Sequence, residues 1–131
     1  MAELDDLVAR LARDFPEINF VLGERIKFRP PRTVVVEAGG EPGLLLHEVG
    51  HALSGRFGFR TEIERLRIEV EAWERARVLG ERYGVDLDED LVQDELDSYR
   101  EWLHQKSRCP DCGLTRFQTP DGVWHCPKCD F

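Results

Sequence analysis

The chain has 131 residues, a net charge of −8, a pI of about 5.0 and 41% hydrophobic residues. This composition excludes a disordered chain and predicts one modest hydrophobic core with a small appended module. The longest apolar runs fall far short of the roughly 20 residues that span a bilayer. The acidic N-terminal segment lacks the layout of a signal peptide, so we expect a cytoplasmic protein with no membrane segment.

The first third of the chain predicts a helix followed by a small sheet. Apolar residues recur at spacings of three and four over residues 3–14, which is typical of an amphipathic helix. Segments 18–22 and 25–29 favour two strands of a hairpin that turns at residues 23–24. Residues 33–37 are rich in β-branched side chains and predict a third strand, while the two prolines before it are expected to interrupt pairing.

The next stretch, residues 44–53, is apolar and contains the motif H-E-x-x-H at residues 47–51. On a helix, residues four apart share a face, so His47 and His51 can direct two imidazoles at one metal ion. Glu48 lies beside this pair and is suited to accept a proton from water as a general base. The alternative is a core helix without metal, although two buried imidazoles beside a carboxylate need polar partners.

Two long helices are predicted after the motif helix, which Gly55 is expected to end. Thr61, followed three residues later by Glu64, fits a capping box, and the helix that it begins is predicted to run to about Tyr83, where a glycine follows. The second of these two helices is predicted over residues 88–106.

A catalytic zinc site normally has three protein ligands, so the histidine pair needs one more. The helix predicted over residues 61–83 carries six glutamates, most of which suit ion pairs with arginines at helical spacing. This arrangement resembles the gluzincin metallopeptidases, in whose thermolysin-like branch a glutamate ligand lies 20 residues after the second histidine and often precedes alanine. Glu71 lies 20 residues after His51 and precedes Ala72, so the resemblance implies Glu71 as third ligand, with Glu69 as its rival.

The same resemblance implies a zinc-dependent peptidase with Glu48 as general base and a zincin-like α+β core. That core would comprise an N-terminal helix, a small β-sheet, the motif helix, the glutamate helix and a third helix. In such proteases an extended peptide substrate pairs with an edge strand, which we predict at Thr33, Val34, Val35, Val36 and Glu37. The residue that stabilises the oxyanion has three candidates, which are Tyr83, Tyr99 and His104.

All four cysteines lie near the end of the sequence in two C-x-x-C pairs, Cys109 with Cys112 and Cys126 with Cys129. The pairs and the 13 residues between them resemble a zinc ribbon, in which four thiolates hold one structural ion, with zinc favoured over iron. We therefore predict two domains, a zincin-like metallopeptidase domain at 1–106 and a ribbon at 107–131, and two Zn²⁺ ions per chain.

An H-E-x-x-H domain followed by a zinc ribbon is also the layout of the SprT-like family, whose members act on DNA-associated proteins. That family leads one to expect a histidine as third ligand, and residues 52–103 contain none. The resemblance to this family is therefore one of layout.

Two functions fit these motifs. The first is a peptidase acting on a peptide or protein substrate. The second is a non-catalytic, zinc-stabilised module whose ribbon contacts a protein or, through Phe117, Trp124 and His125, a single-stranded nucleic acid. The ribbon has balanced side-chain charges, so an electrostatic grip on phosphates is not expected. Substrate specificity and oligomeric state stay open.

Overall fold

The computed structural model describes residues 2–130 as a mixed α+β protein. Four helices pack with a three-stranded sheet, and a two-stranded hairpin follows near the C-terminus. In chain order the elements are α1 (Ala2–Asp14), β1 (Asn19–Leu22), β2 (Lys27–Arg29), β3 (Thr33–Val36), α2 (Pro42–Ser54), α3 (Glu62–Tyr83), α4 (Glu89–Ser107), β4 (Phe117–Gln118) and β5 (Trp124–His125). In the part of the chain that is described, no helix is both long enough and apolar enough to cross a bilayer.

The sheet has the order β1-β3-β2, which corrects two expectations from sequence. The first two strands do not form a hairpin with each other: β1 pairs parallel to β3, and β2 pairs antiparallel to β3. Pro30 and Pro31 lie in the turn between β2 and β3 and do not interrupt their pairing. Alternation of side chains predicts which face of a strand is buried, but it does not predict which strand lies beside it.

The predicted substrate strand is also wrong, because β3 is the central strand and not an edge. Three valines, Val34, Val35 and Val36, are almost fully buried, as expected for a strand covered on both faces. Thr33 pairs with strands on both sides, and Glu37 lies beyond the strand in a turn where its carbonyl accepts the N–H of Gly40. Thr33, Val34 and Val35 are paired on both sides and present no free backbone edge to a peptide.

Both ends of α2 are fixed by local sequence. The carboxylate of Glu41 accepts the N–H of Leu44 at 2.9 Å, and Pro42 occupies the first turn, where its missing N–H costs nothing. Gly55 ends the helix with φ = 69°, a left-handed conformation that favours glycine, so the predicted end is confirmed. The helix carries the motif against β2 and β3 on one side and against α3 on the other.

The backbones of α2 and α3 approach each other closely at Gly50. A β-carbon at this position would lie 2.5 Å from the carbonyl oxygen of Ala72, so only glycine fits the contact. The predicted bounds of α3 are confirmed: the Thr61 hydroxyl accepts the N–H of Glu64, and Gly84 follows the helix with φ = 71°. The close crossing brings residues of α3 within reach of the motif histidines.

The C-terminal hairpin contacts the N-terminus of α3. The side-chain oxygen of Gln118 accepts the N–H of Glu62 at 2.7 Å, which satisfies a backbone donor that the helix itself leaves unpaired. Lys106, on the last turn of α4, forms an ion pair of 2.8 Å with the buried carboxylate of Glu62. The hairpin is therefore attached to the helix that approaches the motif.

Candidate metal centre

Two histidines of α2 and one glutamate of α3 meet at a single carboxylate oxygen. Oε2 of Glu69 lies 2.9 Å from Nε2 of His47 and 3.2 Å from Nε2 of His51. His47 and Glu69 are buried, and the side chain of His51 is only 12% exposed. The two imidazoles converge as their spacing on one helical face predicts.

Each imidazole is held in place by an aromatic ring. The indole of Trp73 is fully buried and stacks on His47, with ring centroids 4.1 Å apart and ring planes 5° from parallel. The ring of Phe28, on β2, stacks on His51 at 6.0 Å and 8°. Flat contacts of this kind restrict rotation about χ2, so the Nε2 atoms are oriented before any ion binds.

Glu48 approaches the cluster from a different direction. Its Oε1 lies 3.4 Å from Nδ1 of His47, on the ring edge opposite the nitrogen that faces Glu69. One possible ligand atom from each of His47, Glu48 and His51 lies within 4.8 Å of the other two, so the carboxylate of Glu48 adjoins the histidine pair. Its contact with Nδ1 of His47 places it on the side of that ring away from Glu69.

Opposite charges dominate the electrostatics of the centre. Burial lowers the pKa of His47, but hydrogen bonds to Glu48 and Glu69 and the charges of these carboxylates more than offset it and raise the pKa to about 9. Burial raises the pKa of Glu69, while the hydrogen bonds and charges of His47 and His51 bring it down to about 2. The raised pKa of His47 and the lowered pKa of Glu69 favour a protonated imidazole hydrogen-bonded to a carboxylate.

Glu71, the ligand chosen from family spacing, lies elsewhere, and the choice over Glu69 is corrected. Its two carboxylate oxygens each lie 2.8 Å from the same nitrogen, Nη1, of Arg56. Two residues along a helix correspond to a rotation of roughly 200°, so Glu69 and Glu71 point in nearly opposite directions. The buried positions of α3 explain why Glu69 is the inward residue: Ala72, Trp73 and Ala76 follow it at spacings of three, four and seven.

The donor atoms of this cluster fit a zinc ion. Two imidazole nitrogens and one carboxylate oxygen are a donor set that zinc commonly takes at catalytic sites. Ligand atoms about 2.0–2.1 Å from a tetrahedral zinc ion lie roughly 3.3 Å from one another. The distances of 2.9 and 3.2 Å from Glu69 to the two histidines are those of direct hydrogen bonds and are slightly shorter than that separation.

A cleft of about 700 Å³ opens over the cluster. One wall comes from the β2 region and the other from α3, α4 and the loop after α2. Its lining includes Arg25, Lys27, Phe28, Phe57, Arg65 and Tyr99. Phe57, on the loop, is exposed and packs on Phe28 at 5.5 Å, so the cleft has an apolar rim beside the histidines.

Of the three oxyanion candidates, the structure places only Tyr99 at the cleft. Burial, with the negative charge of Glu69, raises the pKa of Tyr99 to about 12, so its hydroxyl stays protonated at neutral pH. Tyr83 lies instead between α1 and α3, where its hydroxyl donates to Asp14 at 2.6 Å. His104 is exposed near the end of α4.

The four cysteines form a second cluster, which can also hold a metal ion. Sγ atoms of Cys109 and Cys129 are 3.8 Å apart, those of Cys112 and Cys126 are 3.5 Å apart, and all four thiols are free. Thiolates about 2.3 Å from a tetrahedral zinc ion lie roughly 3.8 Å apart, so the cluster has the dimensions of such a site. The N–H of Cys129 and then that of Lys128 lower the pKa of Cys126 to about 7, whereas hydrogen bonds with the other thiols raise the pKa of Cys129 to about 12.

Three residues around the site are not predicted from sequence. The sequence pattern gives Trp73 only as an apolar residue of α3 and Phe28 only as an apolar residue of a strand, and does not connect either with the histidines. Arg65 is one of the arginines at helical spacing from the glutamates of α3, and its guanidinium lies over the rings of Tyr99 and Trp102 at 5.5 and 4.7 Å. The available signal was the small residues Ala72 and Ala76, which mark the face of α3 that approaches α2 most closely.

No protein-family model, no curated protein and no solved structure matches this chain. The resemblance to metallopeptidases therefore rests on the motif residues and their arrangement.

Proposed function

We propose that this protein is a zinc-dependent peptidase of gluzincin type, with His47, His51 and Glu69 as ligands. The observation that carries the proposal is the convergence of these three side chains under an open cleft, with the carboxylate of Glu48 beside them. A structural metal site has four protein ligands and is closed, whereas a catalytic site leaves a position open. Three converging ligands at the base of a cleft match the catalytic kind.

A zinc ion bound there would supply Lewis acidity toward water and toward the scissile carbonyl. Glu48 accepts the proton of the attacking water and delivers it to the leaving amine, because it is the carboxylate beside the ligand pair that is not itself aimed between the Nε2 atoms. The hydroxyl of Tyr99, which hydrogen-bonds Glu69 and stays protonated because of its raised pKa, would turn from this carboxylate to donate a hydrogen bond to the oxygen that becomes negative.

The ribbon completes the proposed assignment with a second, structural zinc held by Cys109, Cys112, Cys126 and Cys129. A segment of this size buries too little apolar surface to fold without such an ion. Its contact through Gln118 with the N-terminus of α3 makes it a support for the helix that carries Glu69.

The test is hydrolysis of an unfolded protein by the zinc-loaded full chain and by Glu48→Gln. We expect the variant to keep both zinc ions and to lose activity by about 10²- to 10⁴-fold, the usual contribution of a general base. Glu74→Gln, an exposed position on α3, is the matched control and should cleave as the wild type does. If the wild type binds two zinc ions and hydrolyses no protein, the non-catalytic binding module becomes the better account.

A further inference from the structure

The strand at the margin of the cleft is an open edge of the sheet. β2 pairs with β3 on one side, and within residues 2–130 no strand pairs with its other side. An edge strand presents unpaired N–H and C=O groups that pair readily with another extended chain. Because Phe28 both lines the cleft and stacks on His51, a peptide paired with this edge would pass beside the metal centre.

Side chains along this edge alternate between apolar and basic types. Ile26 and Phe28 pack toward the core, whereas Lys27 and Arg29 of β2, and Arg25 in the bend just before it, are exposed. We name these three exposed basic residues the basic stripe. With Gly23, Glu24 and Val35 they line one depression, and in the described part of the chain none of the three forms an ion pair.

The basic stripe is positively charged, whereas the protein as a whole is negatively charged. The chain has a net charge of −8, yet residues 25–36 hold four basic residues and no acidic one. Like charges two residues apart on one strand face repel each other, and Glu24, which lines the same depression, forms no ion pair with them. The charge is therefore placed where an external anionic group would be attracted.

We infer that the edge of β2 and the basic stripe select extended peptides with acidic side chains at alternate positions. The inference deepens the proposed function, on which it rests for the use of the cleft by a peptide. In a bound strand, alternate side chains point to the same face, and cross-strand neighbours lie about 4.5–5.5 Å apart. Every second residue of the peptide therefore lies beside the basic stripe, of which Arg25 and Lys27 also line the cleft, while the residues between them lie beside Phe28.

A polynucleotide fits the same surface less well. It cannot form the ladder of hydrogen bonds that an edge strand offers, and the remainder of this acidic chain repels a long polyanion. A short peptide with two or three carboxylates matches both the backbone and the local charge.

Binding is measured by fluorescence anisotropy with the zinc-loaded full chain carrying Glu48→Gln, so that the peptide stays intact. The probes are labelled peptides with the same apolar residues at odd positions and Glu, Gln or Lys at even positions. We expect the Glu peptide to bind about three- to tenfold more tightly than the Gln peptide, and the Lys peptide to bind most weakly. The preference should shrink as salt is added.

Two variants test whether the basic stripe causes the preference for the Glu peptide. Lys27→Gln should remove most of the difference between the Glu and Gln peptides, whereas Arg75→Gln, an exposed position on α3 with the same change in net charge, should leave it intact. Equal binding of the Glu and Lys peptides, equal effects of the two variants, or tighter binding of a single-stranded oligonucleotide would overturn the inference. Selective binding by a protein that cleaves nothing would refute the peptidase proposal alone, whereas unselective cleavage would refute the acidic preference alone.

Discussion

Gly50 of α2 and Ala72 of α3 touch backbone to backbone, at a distance that admits no β-carbon. This contact lies one residue before His51 and three residues after Glu69, so it sets the distance between the two ligand-bearing helices. A larger residue at position 50 would separate the helices, because the atom that it meets is a backbone carbonyl that cannot rotate away.

Gly50→Ala is therefore expected to lower the free energy of unfolding by about 1–3 kcal/mol, the usual cost of overpacking. We also expect it to weaken zinc binding at the histidine centre, because Glu69 would be drawn away from His47 and His51. Denaturant unfolding and zinc content per chain measure the two effects. Gly58→Ala is the control, since a β-carbon there meets nothing within 4 Å. If Gly50→Ala had the stability and zinc content of the wild type, the close contact of α2 with α3 at Gly50 would not determine the geometry of the metal centre.

We expect the hydroxyl of Tyr99, but not that of Tyr83, to contribute to kcat. Loss of a hydrogen-bond donor to the developing oxyanion commonly costs about 10²-fold in kcat, so Tyr99→Phe should lose activity on that scale while it retains zinc. Tyr83→Phe removes the same atom at a site remote from the cleft and should keep its kcat. Steady-state kinetics on one peptide substrate compares them, and equal kcat values for both variants would remove Tyr99 from the mechanism.

Tyr83 has a structural role that depends on pH. Its hydroxyl donates to Asp14, and this hydrogen bond is the main reason why the pKa of Asp14 lies below its ordinary value of 3.8. A lowered pKa in the folded state contributes stability above pH 3.8, and this contribution is lost as the pH falls through the folded-state value. Tyr83→Phe should therefore lose less stability than the wild type between about pH 6 and about pH 2. Denaturant midpoints at the two pH values check this, and an unchanged fall in the variant would contradict it.

The sequence predicts the ends of the helices better than it predicts which strands pair with each other. Helix ends were readable because Gly55 and Gly84 adopt left-handed conformations that glycine tolerates and because Thr61 caps α3. Strand order was not readable, since alternation carries no information on pairing partners.

The third ligand was missed for a different reason. The spacing of large apolar residues in α3 predicts a buried stripe that includes Ile63, yet Ile63 is 59% exposed, whereas the small residues Ala72 and Ala76 are fully buried. The large apolar side chains of α3 therefore do not identify the face that packs against α2. The small residues that permit close helix packing do identify it. Glu69 lies on that face and Glu71 does not.

Zinc content per chain in Glu69→Ala and Glu71→Ala tests the central claim most directly. The two residues are close in sequence and alike in chemistry, but only Glu69 approaches both histidines. After dialysis against a weak chelator, we expect two zinc ions in the wild type and in Glu71→Ala, and only the cysteine-bound ion in Glu69→Ala. Two ions in Glu69→Ala, or the loss of one in Glu71→Ala, would contradict the proposed metal centre.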